Sequence, residues 1–335
     1  MSGRILIVKT SSFGDIVHLF PALSLLRKVL PESEADFLVN PEFAPLLEFS
    51  PFPIAEKIIF ERKNFGSLRS FLPEVMRLKK ELQRNKYDYV IDFQGLFRSG
   101  VFTGWANGGV KAGFAVPRER LAAIFYNRKI EVPKLHAVER NIYLVEQLFS
   151  LKKSERMILP ELPYSSAGAA ELPELPEDYI VLLPGARWES KRFPVEVFRG
   201  VVENLKKYMP GMKFVAAGSG SEYGLGRSIG KDVVDLAGRT SVAALFELLR
   251  KSRAVIGNDS GPLHAAAALN KKVFGFYGPT VPGLTGPYGE NCSVITACAE
   301  CAGCLKRKCP RRDVLCHKLD AAATAEMIAA KLTEV

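Results

Sequence analysis

No stretch of this 335-residue sequence approaches the roughly 20 consecutive apolar residues that a membrane-spanning helix requires, although 47% of its residues are hydrophobic. A secretory leader is lacking too: the start offers one Arg and four strongly apolar residues, Ile5 to Val8, before polar loop chemistry takes over. A cytosolic protein is therefore expected, and there stable disulfides among its six cysteines are disfavoured. The absence of a Gly-x-x-x-x-Gly-Lys string argues against P-loop kinase or ATPase chemistry. Asp-x-Asp is also missing. A transferase that clamps a diphosphate through a metal would want such a carboxylate pair, so any phosphates here fall to the protein's own groups. Acidic residues are in deficit, 36 Asp and Glu against 46 Lys and Arg, a formal net charge of +10. That surplus points to an anionic partner: nucleic acid, anionic lipid or a phosphorylated substrate. Part of it is local, with seven basic residues (Lys111, Arg118, Arg120, Arg128, Lys129, Lys134, Arg140) against three Glu between positions 111 and 140.

What the sequence has instead is a repeated strand–loop–helix design. The opening unit runs from Arg4 to Ala22: an apolar run, then Lys9-Thr10-Ser11-Ser12-Phe13-Gly14-Asp15, then an apolar-periodic stretch. Small residues after a buried strand let backbone amides point outward at a helix N-terminus, and Asp15 sits where strand becomes helix. An acid there either caps the helix or stands at the strand ends where ligands bind. Residues 35–39, 57–60, 89–92 and 110–114 read as further strands. Helical patterns separate them, the clearest over residues 65–85 with Leu68, Leu72, Val75 and Leu82 on one face. A helix over residues 137–149 turns Ile142, Val145 and Leu148 inward.

Prolines 160, 163, 173 and 176 mark a linker. Beyond it, strands are expected at residues 179–183, 213–217, 233–236, 254–257 and 273–277, with a helix through Phe198, Val201, Val202 and Leu205. The reading is an α/β chain of two Rossmann-like domains facing a central cleft. Its divisions are an N-terminal domain over 1–155, a linker over 156–177, a C-terminal domain over 178–318 and a terminal helix from 319 that packs across the domain boundary.

Four loops of the second half follow strands and are polar: residues 184–192, 218–222, 257–264 and 277–283. In the third, Asp259-Ser260-Gly261 leads into a small-residue helix whose amides would bind a diphosphate, with Lys191 adding a point charge, unless Asp259 merely caps the helix. Gly218-x-Gly220-x-x-x-Gly224 with Asp235 one strand later is a loose dinucleotide fingerprint, and it makes a nicotinamide-dependent oxidoreductase the rival reading. The basic surface makes a nucleic-acid-binding protein another. Cys298-x-x-Cys301-x-x-Cys304 with Cys309 and Cys316 behind it could hold structural zinc or an iron–sulfur cluster, stay as reduced thiols without metal, or serve a redox role. Cys301, Cys304, Cys309 and Cys316 are the candidate ligands.

The strings Lys9 to His18, Asp92-Phe93-Gln94-Gly95-Leu96, Arg118-Glu119, Phe125 to Lys129, His136 to Arg140, Asp259 to His264 and Tyr277 to Gly283 together resemble the ADP-heptose:lipopolysaccharide heptosyltransferases, glycosyltransferase family 9. The branch that adds the first heptose looks most similar, although the cysteine segment is more like other branches. This resemblance implies a GT-B fold and inverting transfer of heptose from ADP-heptose to a Kdo residue of the lipid A precursor, or to another inner-core sugar, with no cofactor needed for catalysis. It makes Asp15 the catalytic base. Lys191, Glu222, Asp259, Ser260, Gly261, His264 and Thr280 then bind the donor, while Ser12, Gly14, Arg62, Arg118, Lys129, His136 and Arg140 meet the acceptor. The implied setting is the cytoplasmic face of the inner membrane, where the enzyme rests peripherally on the lipid surface and binds no nucleic acid.

Overall fold

Apolar runs without polar alternation become strands covered on both faces, which is how parallel sheets are built. In the computed structural model, which describes residues 3–66, 68–151, 161–311 and 313–334, the chain divides into two units, Met1–Pro163 and Tyr164–Val335. The first holds β1 (Arg4–Val8), α1 (Phe13–Val17), α2 (Phe20–Val29), β2 (Glu34–Val39), β3 (Ile54–Ile59), α3 (Leu68–Arg84), β4 (Tyr87–Asp92), α4 (Phe97–Trp105), β5 (Gly108–Phe114), β6 (Arg128–Ile130) and α5 (Ala137–Leu148). Its strands are all parallel, in the order β3-β2-β1-β4-β5-β6.

The second unit holds α6 (Ser166–Ala170), β7 (Tyr179–Leu183), α7 (Val195–Tyr208), β8 (Lys213–Ala216), α8 (Leu225–Ile229), β9 (Val234–Asp235), α9 (Val242–Lys251), β10 (Ala254–Asn258), α10 (Gly261–Ala268), β11 (Lys272–Tyr277), α11 (Pro282–Thr285), β12 (Cys292–Thr296) and α12 (Ala321–Thr333). Its order, β12-β11-β10-β7-β8-β9, is the first unit's read from the other edge, again all parallel. The strand order therefore reverses between β1 and β4 and between β7 and β10. In doubly wound sheets ligands bind outside the strand C-termini at those points.

Each unit has its own core. Leu78 and Leu82 of α3, Phe102 of α4 and Ala106 just after it cover Leu6, Val8 and Val90 on one face of the first sheet. Leu72, expected on the buried stripe of that helix, is instead 65% exposed. The stripe turns through Glu74 and Leu78, because the buried Glu74 is ion-paired with Arg77 and so tolerates the inward position. At the N-terminal end of the sheet, the buried Asp36 carboxylate ties three strands together. It accepts from Arg4 Nη2 at 2.8 Å, Tyr87 Oη at 2.7 Å and Asn85 Nδ2 at 2.9 Å. That end is built for stability and leaves the opposite end for ligands.

In the second unit Phe198, Val201, Val202 and Leu205 of α7 pack beneath Ile328, Ala329 and Leu332 of α12. The terminal helix lays its apolar face on α7 of its own unit. Of the stretch read as linker, residues 156–160 lie outside the described residues. Within the rest, α6 sits on α9, where Gly168 lies so close to Ala243 that no side chain fits, and the Ser165 amide donates to Glu247 at 3.1 Å.

Candidate functional site

In the first unit the loop after β1 carries Asp15 on the first turn of α1. Ser12 holds the carboxylate twice, its amide donating to Asp15 Oδ2 at 2.9 Å and its hydroxyl at 2.7 Å. The same loop is tied to the end of β4: the Ser11 amide donates to Gln94 Oε1 at 3.2 Å, and Lys9 Nζ donates to the Phe93 carbonyl at 3.0 Å. Gly95, at φ +65°, makes the turn that brings this segment back, with its amide and that of Gln94 on the Asp92 carboxylate. Tyr126 closes over Asp92 from the other side at 2.6 Å.

The electrostatics follow from that packing. Burial by itself would raise the Asp15 pKa, but the Lys9 charge, the two Ser12 hydrogen bonds and the His18 charge outweigh it and bring it from 3.8 to about 2. Asp15 is thus fixed as an anion. Desolvation lowers the pKa of Lys9; Asp15 and Asp92 oppose this, and the Arg118 and Arg140 charges reinforce it. Burial pushes Asp92 the other way, upward.

The structure brings several expected acceptor residues to this place. Ser12 and Gly14 flank Asp15, and Arg118 and Arg140 bear on Lys9. His136 caps α5 and lies edge-on to His18 with ring centroids 5.4 Å apart. Arg140 stacks over Phe114 at 5.0 Å. Arg62 is exposed and bears on Arg98 rather than on Asp15, and Lys129 is exposed on the edge strand β6 opposite Gly113. Sequence reasoning assigned no part to Lys9 or Gln94. A lysine directly after four sealed strand residues was the available signal, since a buried ammonium needs partners.

In the second unit the carboxylate of Asp259, at the end of β10, gathers four side chains. Lys191 Nζ pairs with Oδ2 at 2.7 Å, Thr280 Oγ1 donates to Oδ2 at 2.6 Å, and Tyr277 Oη donates to Oδ1 at 3.3 Å. His264 Nε2 lies 3.5 Å from Oδ1. Burial opposes ionisation of Asp259, but His264 and Lys191 hold it well below the usual carboxylate range. Lys191 also lies 4.7 Å over the Trp188 ring. The loop bearing it is clamped by the buried Asn258, whose Nδ2 donates to Pro184 O at 2.7 Å and whose Oδ1 accepts from Phe193 N at 3.4 Å.

Beside Asp259 the first turn of α10 leaves the Gly261 and Leu263 amides without helical acceptors, Pro262 having none to offer. Ser260 Oγ is buried and, among the described residues, has no hydrogen-bond partner. This is a cradle for an anion. Glu222 folds back on its own turn, accepting from the Ser219 amide at 2.8 Å, and its carboxyl lies against Gly185 and Gly218. A methyl at Gly185 would overlap it, but the clash is with the far end of a flexible, half-buried side chain, so Gly185→Ala should cost less than about 1 kcal/mol in denaturant titration as Glu222 swings aside. A loss above about 2 kcal/mol would mean that Glu222 is clamped in place.

The dinucleotide fingerprint fails in its geometry. Gly220–Glu222 forms only a 3₁₀ turn, Gly224 takes φ +92° before the five-residue α8, and Asp235 accepts from the Gly224 and Ala237 amides at 2.8 and 3.1 Å. An aspartate so engaged is not presented to a ribose. At Cys301, Cys304, Cys309 and Cys316 the sequence leaves open a structural metal or none; all six cysteines are free thiols, and no group of three or more His, Cys, Asp or Glu among the described residues is placed to hold a metal ion, so the structural metal finds no support. The segment is held by backbone contacts instead. Gly303 N donates to Gly278 O at 2.9 Å, Leu305 N to Pro279 O at 2.7 Å, and Ser190 Oγ to Lys306 O at 2.6 Å. His317 Nε2 meets Ser190 O at 2.8 Å. Burial, with Cys301, Cys309 and Cys304 near, pushes the Cys316 thiol up. The cysteine-rich segment thus braces both the Lys191 loop and the Thr280 loop.

Two doubly wound units of the same topology, one with a fixed carboxylate and one with an anion cradle at their strand ends, define the GT-B class of glycosyltransferases. Residues 75–315 match glycosyltransferase family 9 (heptosyltransferase). The lipopolysaccharide heptosyltransferase 1 of Pseudomonas aeruginosa is 33% identical over 316 residues, covering 91% of this chain and 87% of that protein. The structure of the Escherichia coli heptosyltransferase WaaC with ADP superposes with a TM-score of 0.79 at 29% identity, covering 98% of this chain and 99% of the other. The same enzyme with ADP-2-deoxy-2-fluoro heptose gives a TM-score of 0.73 at 29% identity over 88% and 93% of the two chains. The chain belongs to glycosyltransferase family 9, the heptosyltransferases, and is an enzyme of that class.

Proposed function

We propose that this protein transfers heptose from ADP-heptose, with inversion, to a Kdo residue of the lipid A precursor. Asp15 would act as base and the Asp259–Lys191 cradle as the holder of the leaving diphosphate. The observation that carries the reading is the pairing of two opposite devices on two like domains: a carboxylate fixed as an anion in the first, and a cation with an orphan hydroxyl at a helix N-terminus in the second. Inverting displacement needs one of each.

The acceptor hydroxyl oxygen attacks the anomeric carbon, the bond from that carbon to the β-phosphate oxygen breaks, and its electron pair leaves with ADP. Lys191, Ser260 Oγ and the amides of the first α10 turn receive the growing phosphate charge, and Thr280 and His264 keep Asp259 aimed at Lys191. The proton passes to Asp15. A carboxylate with a pKa near 2 cannot remove a hydroxyl proton in advance, so the transfer occurs as the attacking oxygen becomes cationic. Arg118, Arg140 and His136 offer charge and hydrogen bonds to acid groups of the acceptor, with Arg62 and Lys129 further out.

No helix among the described residues is long and apolar enough to cross a membrane; the proposed setting is peripheral, at the cytoplasmic surface of the inner membrane. The test is transfer from ADP-heptose to a Kdo-containing acceptor, with acceptors ending in heptose run beside it. Product from the heptose-ended acceptor alone would move the enzyme to a later step. The pH profile is a second check. Because the Asp15 pKa is depressed, its active anion persists as pH falls, so kcat/KM should show no acid limb from this group between about pH 7 and pH 4. A limb near pH 6.5, about the ordinary histidine value, would make His18 or His136 the titrating group.

A further inference from the structure

We infer that the α3–α4 face of the N-terminal unit, at the end of the sheet that carries Asp15, docks onto an anionic lipid bilayer. This deepens the proposal of a lipid-borne acceptor and rests on it for the purpose of the contact. Six large apolar side chains are exposed there: Phe71, Leu72 and Met76 on α3, Phe97 on α4, and Leu121 and Ile124 on the 3₁₀ turn Arg120–Phe125. Single exposed hydrophobes are ordinary on soluble proteins, but a group of them marks an interaction surface. Leu121 and Ile124 are 63% and 66% exposed, although the turn that bears them is seated firmly.

That seat is α4. Gly100 and Gly104 leave no room for a Cβ, which would lie 2.9 Å from Ala122 and 2.7 Å from the Phe125 ring. On α4 itself Phe97 meets Phe125 at 5.9 Å between centroids. On the other side Phe71 packs on Phe65 at 5.8 Å, and Phe65 on Phe102 of α4 at 6.3 Å. The apolar tips are therefore carried on one packed platform and not on independent loops. The start of α3, the start of α4 and the 3₁₀ turn follow β3, β4 and β5, so they share the strand C-terminal end with Asp15.

Charge selects the occupant. Exposed Arg62 and Lys63 precede α3, and exposed Arg118 and Arg120 border the 3₁₀ turn. Arg98, stacked 5.6 Å from the Phe60 ring, has a buried Nε with no hydrogen-bond partner among the described residues. Burial and then the Arg62 charge depress its pKa, with Glu119 opposing. Two acids of this face are engaged within it, Glu119 accepting from the Phe97 amide at 2.7 Å and Glu74 pairing with Arg77, while Glu61 stands beside Arg62 and Lys63. Aliphatic tips ringed by arginines match the acyl boundary and phosphate layer of an anionic membrane better than a second protein surface, which would bury the cations unpaired.

The experiment is co-sedimentation of the whole protein with sugar-free vesicles of phosphatidylglycerol and phosphatidylcholine, or of phosphatidylcholine alone. Wild type should sediment with the anionic vesicles and progressively less as salt rises. Leu121→Ser with Ile124→Ser should weaken that partition about tenfold or more, with melting temperature and the transfer rate on an acyl-free acceptor unchanged. Wild type remaining in the supernatant, partitioning equally onto neutral vesicles, or matched by the double variant would overturn the docking face. So would a wild-type dimer, abolished in the variant, without vesicle binding; the face would then belong to a second copy. Vesicle binding by a protein that fails to glycosylate the acyl-free acceptor would uphold the face and sink the acceptor reading.

Discussion

Asp15→Asn is expected to lower kcat by about 10²–10⁴-fold, the usual contribution of a positioned general base. Asn keeps an oxygen for the Ser12 amide and hydroxyl, so the helix start should survive; what it lacks is a site for the proton. It also lacks the charge that faces buried Lys9, so a lower melting temperature accompanies the lost rate. The sign is fixed by the pKa: depressed from 3.8 to about 2, the Asp15 anion stabilises the fold above about pH 4, and that contribution fades as pH drops toward 2. The melting difference from wild type should therefore narrow in acid while the rate difference at neutral pH stays large. Rates within about threefold of wild type, measured with saturating acceptor, would return Asp15 to a helix-capping role.

Lys191→Ala should weaken ADP binding roughly 10- to 100-fold, the loss of a charge-assisted contact from a loop that is already built. The loop has other supports in Asn258 and Ser190, and Asp259 keeps Thr280, Tyr277 and His264. Calorimetry with ADP reads the effect. Lys191→Arg should recover part of the affinity, since a guanidinium keeps the charge but not the point geometry that Asp259 holds at 2.7 Å. Equal affinity in wild type and Lys191→Ala would take Lys191 out of the donor cradle.

The central strands were readable because sealed parallel strands are written in uninterrupted Val, Ile and Leu; residues 179–183 were placed to the residue. Two of the four edge strands, β6 and β12, escaped. Arg128-Lys129-Ile130 of β6 is short with two of its three residues charged, and only Ile295 of β12 is buried, so neither carries that signal. Leu72 misled because a stripe drawn from hydrophobicity alone cannot know that Glu74, paired with Arg77, takes the inward place. In the site, Asp15, Lys191 and Asp259 stood out as charges at strand ends. The dependence of Asp15 on Lys9, 84 residues from its acceptor Phe93, is a product of β1–β4 pairing that no local pattern reports. The cysteines drew a metal reading from their spacing, while the contacts that hold their segment are backbone amides and carbonyls, to which sequence is nearly silent.

Those backbone braces have a consequence for the order in which the protein is made. A ribosome adds about 5–20 residues per second, so β1 emerges well before β4 arrives to pair with it, and Asp15 has no Lys9–Phe93 anchor until then. The donor cradle waits longer. Its Lys191 loop is pinned by Lys306 and His317, and its Thr280 loop by Gly303 and Leu305. A chain released before residue 300 would have translated all but the last helix yet leave both loops unpinned, so a prematurely terminated product should hold ADP poorly. Completion of synthesis is in this way coupled to competence for the nucleotide sugar.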